Sequence, residues 1–169
     1  MNEPIDRFIL SALENAELPP APPAEPAILF RRLTLMLTGL PPSPSQIGEF
    51  EAERVQLGEQ LAVENAVDRL LTSPHFGERF ARHWMDVVRY TDTYGYEWDN
   101  PAKGSWEYRD YLIRAFNDDV PFDQLIREQV AGDLLTEPRI NVDAQVNESL
   151  IGPMFFHLGE HRHGGSLDF

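Results

Sequence analysis

The sequence of 169 residues contains no cysteine. Without a thiol the chain cannot form a disulfide, a zinc–thiolate site or an iron–sulfur cluster, and it has no thiol nucleophile. It cannot attach haem covalently either, because that attachment uses a C-x-x-C-H motif. All chemistry that depends on cysteine sulfur is therefore excluded for this sequence.

Basic residues are scarce: 14 Lys and Arg stand against 28 Asp and Glu, a formal net charge of −14. Nucleic acids and anionic membrane surfaces require a basic footprint, so we expect neither as a partner. Long apolar runs are also absent, since none approaches the roughly 20 residues that cross a bilayer. The first residues, Met1-Asn2-Glu3-Pro4, lack the basic segment of a signal peptide. We expect no membrane span and no signal peptide in this sequence.

Apolar residues make up 42% of the sequence and aromatic residues 11%, which favours a packed core over disorder. A chain of this length is usually one domain. No segment shows the sustained two-residue alternation of a strand, whereas apolar residues recur with helical spacing along the chain. These patterns predict an all-α fold, a compact irregular bundle of seven or eight short helices with no significant sheet.

Proline and serine indicate where helices begin, because proline suits the first helical turn and serine caps it. Pro26, Ser43-Pro44, Ser73-Pro74, Ser105 and Pro121 are such signals. The last expected helix, about 143–156, contains Gly152-Pro153, which should kink it or end it early. The expected helices are about 3–16, 26–38, a short one from 43, 58–71, 73–90, one from 105, one from 121, and 143–156.

The same spacing predicts which side chains of each helix face the core. The predicted inward residues are Leu29, Leu33, Met36 and Leu37; Ile47 and Phe50; Val63, Val67, Leu70 and Leu71; Phe80, Trp84, Val87 and Val88; Tyr108, Tyr111, Leu112, Ala115 and Phe116; and Phe122, Leu125, Ile126 and Val130.

A proline-rich stretch, residues 18–26, should be extended and stiff, and it separates the first helix from the rest. That helix has one apolar face, formed by Ile5, Phe8, Ile9 and Leu13. A short helix cannot cover such a face alone, so we expect it to pack on the body as an arm. The single domain would then consist of an arm (1–17), a connector (18–26), a body (27–157) and a flexible tail (158–169).

The segment from Thr91 to Gly104 is the strongest candidate for a recognition loop. Aromatic rings stack on the apolar faces of sugars, and carboxylates accept hydrogen bonds from sugar hydroxyls. Three carboxylates could equally hold Ca²⁺, although the spacing matches no EF-hand. The plain structural alternative is that the rings anchor the loop while the acids face water. The candidate ligand-binding residues are Arg89, Asp92, Tyr94, Tyr96, Glu97, Trp98 and Asp99.

Two patterns raise the question of catalysis. Asp92, Glu97 and Asp99 are candidates for the carboxylate pair of a hydrolase. On the preceding helix, His83 and Asp86 stand three residues apart, the spacing of a base and an orienting carboxylate. No nucleophile is evident beside them in sequence, and an ion-paired helix surface accounts for the same residues.

Three of the five histidines, His157, His161 and His163, lie near the end of the chain. Such a cluster could ligate a transition metal or give an axial imidazole to a haem held elsewhere. The glycines around it favour an exposed tail, in which the histidines need not be ligands.

Most of the sequence resembles one family. The resemblance rests on Arg31-Arg32-Leu33 through Gly39-Leu40-Pro41-Pro42, on His75-Phe76-Gly77-Glu78-Arg79 through His83-Trp84-Met85-Asp86 to Tyr96-Glu97, and on Trp106-Glu107-Tyr108-Arg109-Asp110-Tyr111 through Ala131-Gly132-Asp133. The opening Pro4-Ile5-Asp6-Arg7-Phe8-Ile9 matches as well. In these blocks the chain resembles the planctomycete-type cytochrome-associated domain of unknown function.

The resemblance implies a context more than an activity. The resemblance implies the central part of a large exported bacterial protein, in which a cytochrome c-like domain often precedes such a domain and a second uncharacterised domain follows it. A periplasmic or extracellular location and neighbouring domains as partners are therefore expected. A c-type haem is expected only elsewhere in the full-length parent, with none in this fragment. The family supplies no catalytic residues to carry over.

Three functions remain open. The first is a non-catalytic helical binding or docking module whose 91–104 loop recognises a polysaccharide or a partner domain. The second is an electron-transfer accessory that places a histidine near a haem. The third is a hydrolase that uses the loop carboxylates or the His83–Asp86 pair.

Overall fold

The computed structural model describes residues 4–95 and 99–158. The described residues form eight α-helices, two short 3-10 helices and a two-stranded sheet, so the predicted all-α class is confirmed. The α-helices are α1 (Pro4–Asn15), α2 (Pro26–Thr38), α3 (Pro44–Leu57), α4 (Glu59–Leu71), α5 (Pro74–Val87), α6 (Ser105–Asn117), α7 (Phe122–Ala131) and α8 (Glu148–Ile151). The 3-10 helices are Gly132–Leu134 and Gly152–His157, and the strands are β1 (Ile140–Asn141) and β2 (Val146–Asn147).

Local signals set most of the helix limits. Ser43 and Gln46 form a capping box before Pro44, with the Gln46 N–H donating to the Ser43 Oγ and the Ser43 N–H donating to the Gln46 Oε1. Ser73 caps α5 in a similar way, by accepting from the His75 N–H. Ser105 is not a cap, because α6 begins with it and its side chain is buried; the residue before the helix is Gly104.

Helices α2, α3 and α4 enclose a first small core. Phe30 and Phe50 stack with ring centroids 4.8 Å apart, and Ala62 and Ala66 let α4 approach them closely. The prediction that Phe50 is inward is confirmed, with Ile47 packed against it. Other predictions for this core are wrong. On α2 the buried residues are Phe30 and Thr34, whereas the predicted Met36 is exposed. On α4 the predicted Leu71 is exposed as well.

A second, larger core lies between α5, α6, α7 and α8. Its buried side chains include Tyr108, Tyr111 and Leu112 from α6, which confirms the central α6 residues as inward. The predicted face of α7 is largely wrong. Of its four residues only Leu125 is buried; Phe122, Ile126 and Val130 are exposed, and Glu128 and Gln129 take the inward positions. On α5, Val87 is likewise exposed.

The first helix does not pack as expected. No residue of α1 is buried, and Ile5, Phe8 and Ile9 are 72%, 79% and 52% exposed. The single chain therefore leaves the apolar face of this helix open to solvent.

The last expected helix is much shorter than predicted. Residues 140–147 form an antiparallel pair instead, in which Ile140 faces Asn147 and Asn141 faces Val146. Helix α8 then makes one turn before the chain tightens into a 3-10 helix at Gly152-Pro153, where proline removes a helical donor. No helix within 4–95 or 99–158 is long and apolar enough to cross a membrane.

Candidate functional site

The predicted recognition loop leaves α5 and returns to α6 as two antiparallel arms. Thr93 and Pro101 form an isolated bridge, the Tyr94 N–H donates to the Asn100 carbonyl at 2.8 Å, and the Ala102 N–H donates to the Asp92 carbonyl at 2.9 Å. The loop is therefore held by its own backbone at its base. Tyr96, Glu97 and Trp98 lie outside the described residues.

Tyr90 anchors the first arm to the second core. Its ring stacks on Tyr108 with centroids 6.5 Å apart, and its hydroxyl donates to Asp92 Oδ1 at 2.6 Å. Burial raises the pKa of the Tyr90 phenol, and the hydrogen bond to the Asp92 carboxylate raises it further. The Tyr90 proton therefore stays in place at neutral pH and fixes the orientation of Asp92.

The candidate ligand-binding residues that the structure describes lie on two surfaces. Asp92 and Asp99 are exposed on the loop, and Asp99 has a left-handed backbone with φ of 42°. Tyr94 is half-buried on the first arm. Arg89 also has a left-handed backbone, with φ of 56°, and it lines a different surface, a groove at the end of α5.

The other predicted residues form no cluster in the part of the chain that the structure describes. His83 and Asp86 are both exposed, and the His83 ring lies edge-on against Phe80 at 5.7 Å. His157 is exposed at the end of the second 3-10 helix, and His161 and His163 lie outside the described residues. Within 4–95 and 99–158, no group of three or more His, Asp or Glu is placed to hold a metal ion.

A buried polar cluster lies behind the loop, and sequence reasoning did not identify it. Its two carboxylates, Glu128 and Glu148, are both 0% exposed. Each is paired with one arginine, and each has further hydrogen-bond donors around it. The cluster consists of Tyr108, Tyr111, Arg114, Gln124, Glu128, Gln129, Arg139, Asn141, Glu148 and Ser149.

Glu128 accepts five hydrogen bonds. Arg139 donates to both carboxylate oxygens at 3.1 and 3.0 Å, Tyr111 donates at 2.7 Å, and Gln124 and Ser149 donate at 3.1 Å each. Burial by itself would raise the pKa of Glu128, but the hydrogen bonds from Arg139, Tyr111 and Gln124 outweigh it and lower that pKa. Glu128 is therefore a fully paired carboxylate, ionised at neutral pH.

Glu148 is held in the same manner from the opposite side. Arg114 donates to its two oxygens at 2.6 and 2.9 Å, and Asn141 donates at 3.2 Å. The two ion pairs join α6 to α8 and α7 to the segment before β1. They connect elements that are distant in sequence, which gives them a structural role.

A directed chain of hydrogen bonds runs into this cluster. The Trp84 indole donates to the Tyr108 hydroxyl at 3.2 Å, Tyr108 donates to Gln129, Gln129 donates to the Tyr111 hydroxyl at 3.1 Å, and Tyr111 donates to Glu128. Burial raises the pKa of both Tyr108 and Tyr111. Both phenols therefore remain donors in a network whose polar atoms satisfy one another.

Two glycines make the cluster possible. A Cβ on Gly132 would meet the Ser149 carbonyl, and a Cβ on Gly152 would meet the Glu128 carbonyl. Only residues without a side chain let α7 and α8 approach this closely. The sequence did carry a signal for the cluster, since Glu128 and Gln129 follow Leu125 at i+3 and i+4 on one face of α7.

A groove of about 390 Å³ opens beside the buried polar cluster, between the end of α5 and the second 3-10 helix. We call it the α5 groove. It is largely apolar, and Arg89 is its charged residue. The two polar ends of Gln129 are already engaged by Tyr108 and Tyr111, which favours an apolar occupant over a hydroxylated one. The lining residues are Trp84, Val87, Val88, Arg89, Gln129, Phe155, Phe156 and Leu158.

The fold and its sites define a helical domain with two cores, a braced loop and a buried ion-paired cluster. Comparison with protein-family models identifies the family: the chain belongs to PSCyt2, a protein family of unknown function (DUF1549), whose model matches residues 4–168. A search of curated proteins gave no match, and a search of solved structures gave none either.

Proposed function

We propose that this domain is a non-catalytic docking module of a larger exported protein, and that the loop between α5 and α6 recognises a neighbouring cytochrome c-like domain. The observation that carries the proposal is the backbone closure of the loop, in which Tyr94 bonds to Asn100 and Ala102 bonds to Asp92. A loop whose base is already closed loses less conformational entropy on binding.

The charge of the loop supports a basic partner surface. Asp92 and Asp99 are exposed at its base and near its tip, in a chain with a formal net charge of −14. Complementary charge accelerates association and selects among partners. The cytochrome c-like domain enters the proposal through the family resemblance, as does the periplasmic or extracellular location.

The buried polar cluster supports a non-catalytic role. Its carboxylates are neutralised by Arg139 and Arg114, and its phenols are held protonated by burial. A general base needs a pKa near the working pH and access to substrate. Glu128 has neither, because its pKa is lowered and its side chain is buried.

Association kinetics test the proposal. The probe is the cytochrome c-like domain of the parent polypeptide, added to this domain at low ionic strength. The variant Asp92→Asn/Asp99→Asn removes both loop charges, and asparagine tolerates the left-handed backbone at position 99. We expect the association rate constant to fall about tenfold and its salt dependence to weaken.

The matched control is Asp119→Asn/Asp143→Asn, which removes two exposed acids outside the loop and should leave the rate unchanged. Equal rates for the two double variants, or no association with the wild type, would refute the docking proposal. Calorimetric titration with neutral and acidic polysaccharides separates the glycan alternative. If a polysaccharide gives binding heat and Trp98→Ala abolishes it, the ligand of the loop is a sugar and not a partner domain.

A further inference from the structure

Two apolar surfaces of this chain face solvent. One is the face of α1, on which Ile5, Phe8 and Ile9 are exposed. The other is the α5 groove, where Val87 and Phe156 are 78% and 63% exposed. Neither surface takes part in the docking loop, so they raise a separate question.

Helix α1 requires a partner to be stable. It has 12 residues, and isolated helices shorter than about 12–15 residues are marginal in water. None of its residues is buried in the single chain. Its stability must therefore come from packing of its apolar face against another surface.

The face of α1 has the spacing of a helix that binds in a groove. Ile5, Phe8 and Ile9 stand at i, i+3 and i+4, the anchor positions by which amphipathic helices insert into apolar grooves. A groove that is mostly apolar, with the polar ends of Gln129 already paired, suits such anchors.

Charge distinguishes the α5 groove from another apolar depression. Helix α1 carries Asp6 and Glu14 against one arginine, and the α5 groove carries Arg89. A depression of about 410 Å³ between Leu71, Phe76 and Phe116 has Asp119 on its lining instead, which would repel the helix. The α5 groove is therefore the complementary one.

We propose that α1 of one chain binds in the α5 groove of a second copy. Residues 16–25 connect α1 to α2 and contain four prolines, and a proline-rich connector of this length spans about 30 Å. Such a semi-rigid spacer can carry the arm to a second molecule. A reciprocal exchange of arms closes a two-fold dimer, in which each contact between α1 and the groove occurs twice.

Cysteine cross-linking tests the contact directly, because the full chain has no cysteine of its own. Chains with Phe8→Cys and isotopically labelled chains with Val87→Cys are mixed and oxidised. We expect a disulfide between the two kinds of chain. The control pair, Phe8→Cys with Val55→Cys, uses a valine on α3 that is 80% exposed and should yield at least tenfold less product.

Sedimentation provides the second measurement. Wild type, Arg7→Glu and Val55→Glu should sediment as dimers, whereas Phe8→Glu and Val87→Glu should sediment as monomers. Arg7 is exposed and lies on the side of α1 opposite Ile5 and Ile9, and Val87 and Val55 are similarly exposed, so misfolding does not account for a difference. A monomeric wild type would overturn the proposal. So would a Phe8→Cys/Val87→Cys chain that forms its disulfide only within one molecule. Loss of the dimer leaves the loop proposal intact, because the association kinetics with the cytochrome c-like domain probe a different surface.

Discussion

At the residue scale, the side chains that organise the second core are charged. Glu128 and Glu148 are wholly buried, and each is held by an arginine and by neutral donors. The cost of desolvation offsets much of the attraction within a buried ion pair, so the pair as a whole adds little stability compared with apolar residues. Removing one partner is different, because it leaves the other charge buried without compensation. The cluster therefore makes the fold sensitive to single substitutions.

Substitution of Arg139 tests this sensitivity. We expect Arg139→Met to lower the free energy of unfolding by about 3–5 kcal/mol, because Glu128 would lose its counter-charge in a buried site. Urea denaturation measures the change. Arg127→Met is the control, since Arg127 pairs with Asp123 on the surface and its loss should cost about 0.5 kcal/mol or less. A similar cost for both variants would show that the buried pair contributes no more than a surface pair.

At the element scale, the approach of α7 to α8 depends on backbone space rather than on side-chain volume. Gly152 brings the second 3-10 helix against the Glu128 carbonyl, and Gly132 brings the end of α7 against the Ser149 carbonyl. These contacts place Ser149 within 3.1 Å of Glu128. The ion-paired cluster and the close packing of these elements are therefore one structural feature.

A pair of glycine substitutions separates packing from helix propensity. Gly152→Ala should destabilise the protein by about 1–3 kcal/mol, because the new methyl group meets backbone that cannot move independently. Gly48→Ala should stabilise it by about 0.5–1 kcal/mol, because Gly48 lies within α3 with open space around its Cα. Urea midpoints for both variants provide the measurement. A stabilising Gly152→Ala would mean that α7 and α8 are free to move apart.

At the scale of the whole molecule, acidity has two consequences. The formal net charge of −14 gives the surface a strong negative field, which supports a basic partner. The same abundance of carboxylates makes stability depend on pH. Buried Glu128 should contribute more to that dependence than an exposed acid, because its ionised form is specifically bound in the folded state.

The sign of this dependence follows from the lowered pKa of Glu128. A carboxyl with a lower pKa in the folded state stabilises the protein above its unfolded pKa, and this contribution is lost as pH falls through the folded pKa. We expect Glu128→Gln to lose less stability than wild type when the pH is lowered from 7 to below 4.5. Denaturation at a series of pH values measures this, with Glu51→Gln, an exposed site, as the control. Parallel profiles for Glu128→Gln and wild type would contradict it.

The fold class and most helix starts could be predicted from the sequence alone. Serine caps, helix-initial prolines and the periodicity of α6 act within one or two turns, so they can be identified without knowledge of the tertiary structure. The loop position between α5 and α6 could be predicted too, because two strongly patterned helices flank it. The buried face of α7 could not be predicted from the sequence. Phe122, Ile126 and Val130 have the spacing of a buried apolar stripe, yet they are exposed.

Only the tertiary structure decided the candidate surfaces. Three of the four hydrogen-bond partners of Glu128, namely Tyr111, Arg139 and Ser149, lie 11 to 21 residues away in sequence. Burial of the carboxylate is favourable only once they are in place. The α5 groove likewise joins α5 to a 3-10 helix more than 60 residues further along the chain. The periodicity of a helix shows which of its faces is polar and which is apolar. The neighbouring elements determine which of these faces is buried.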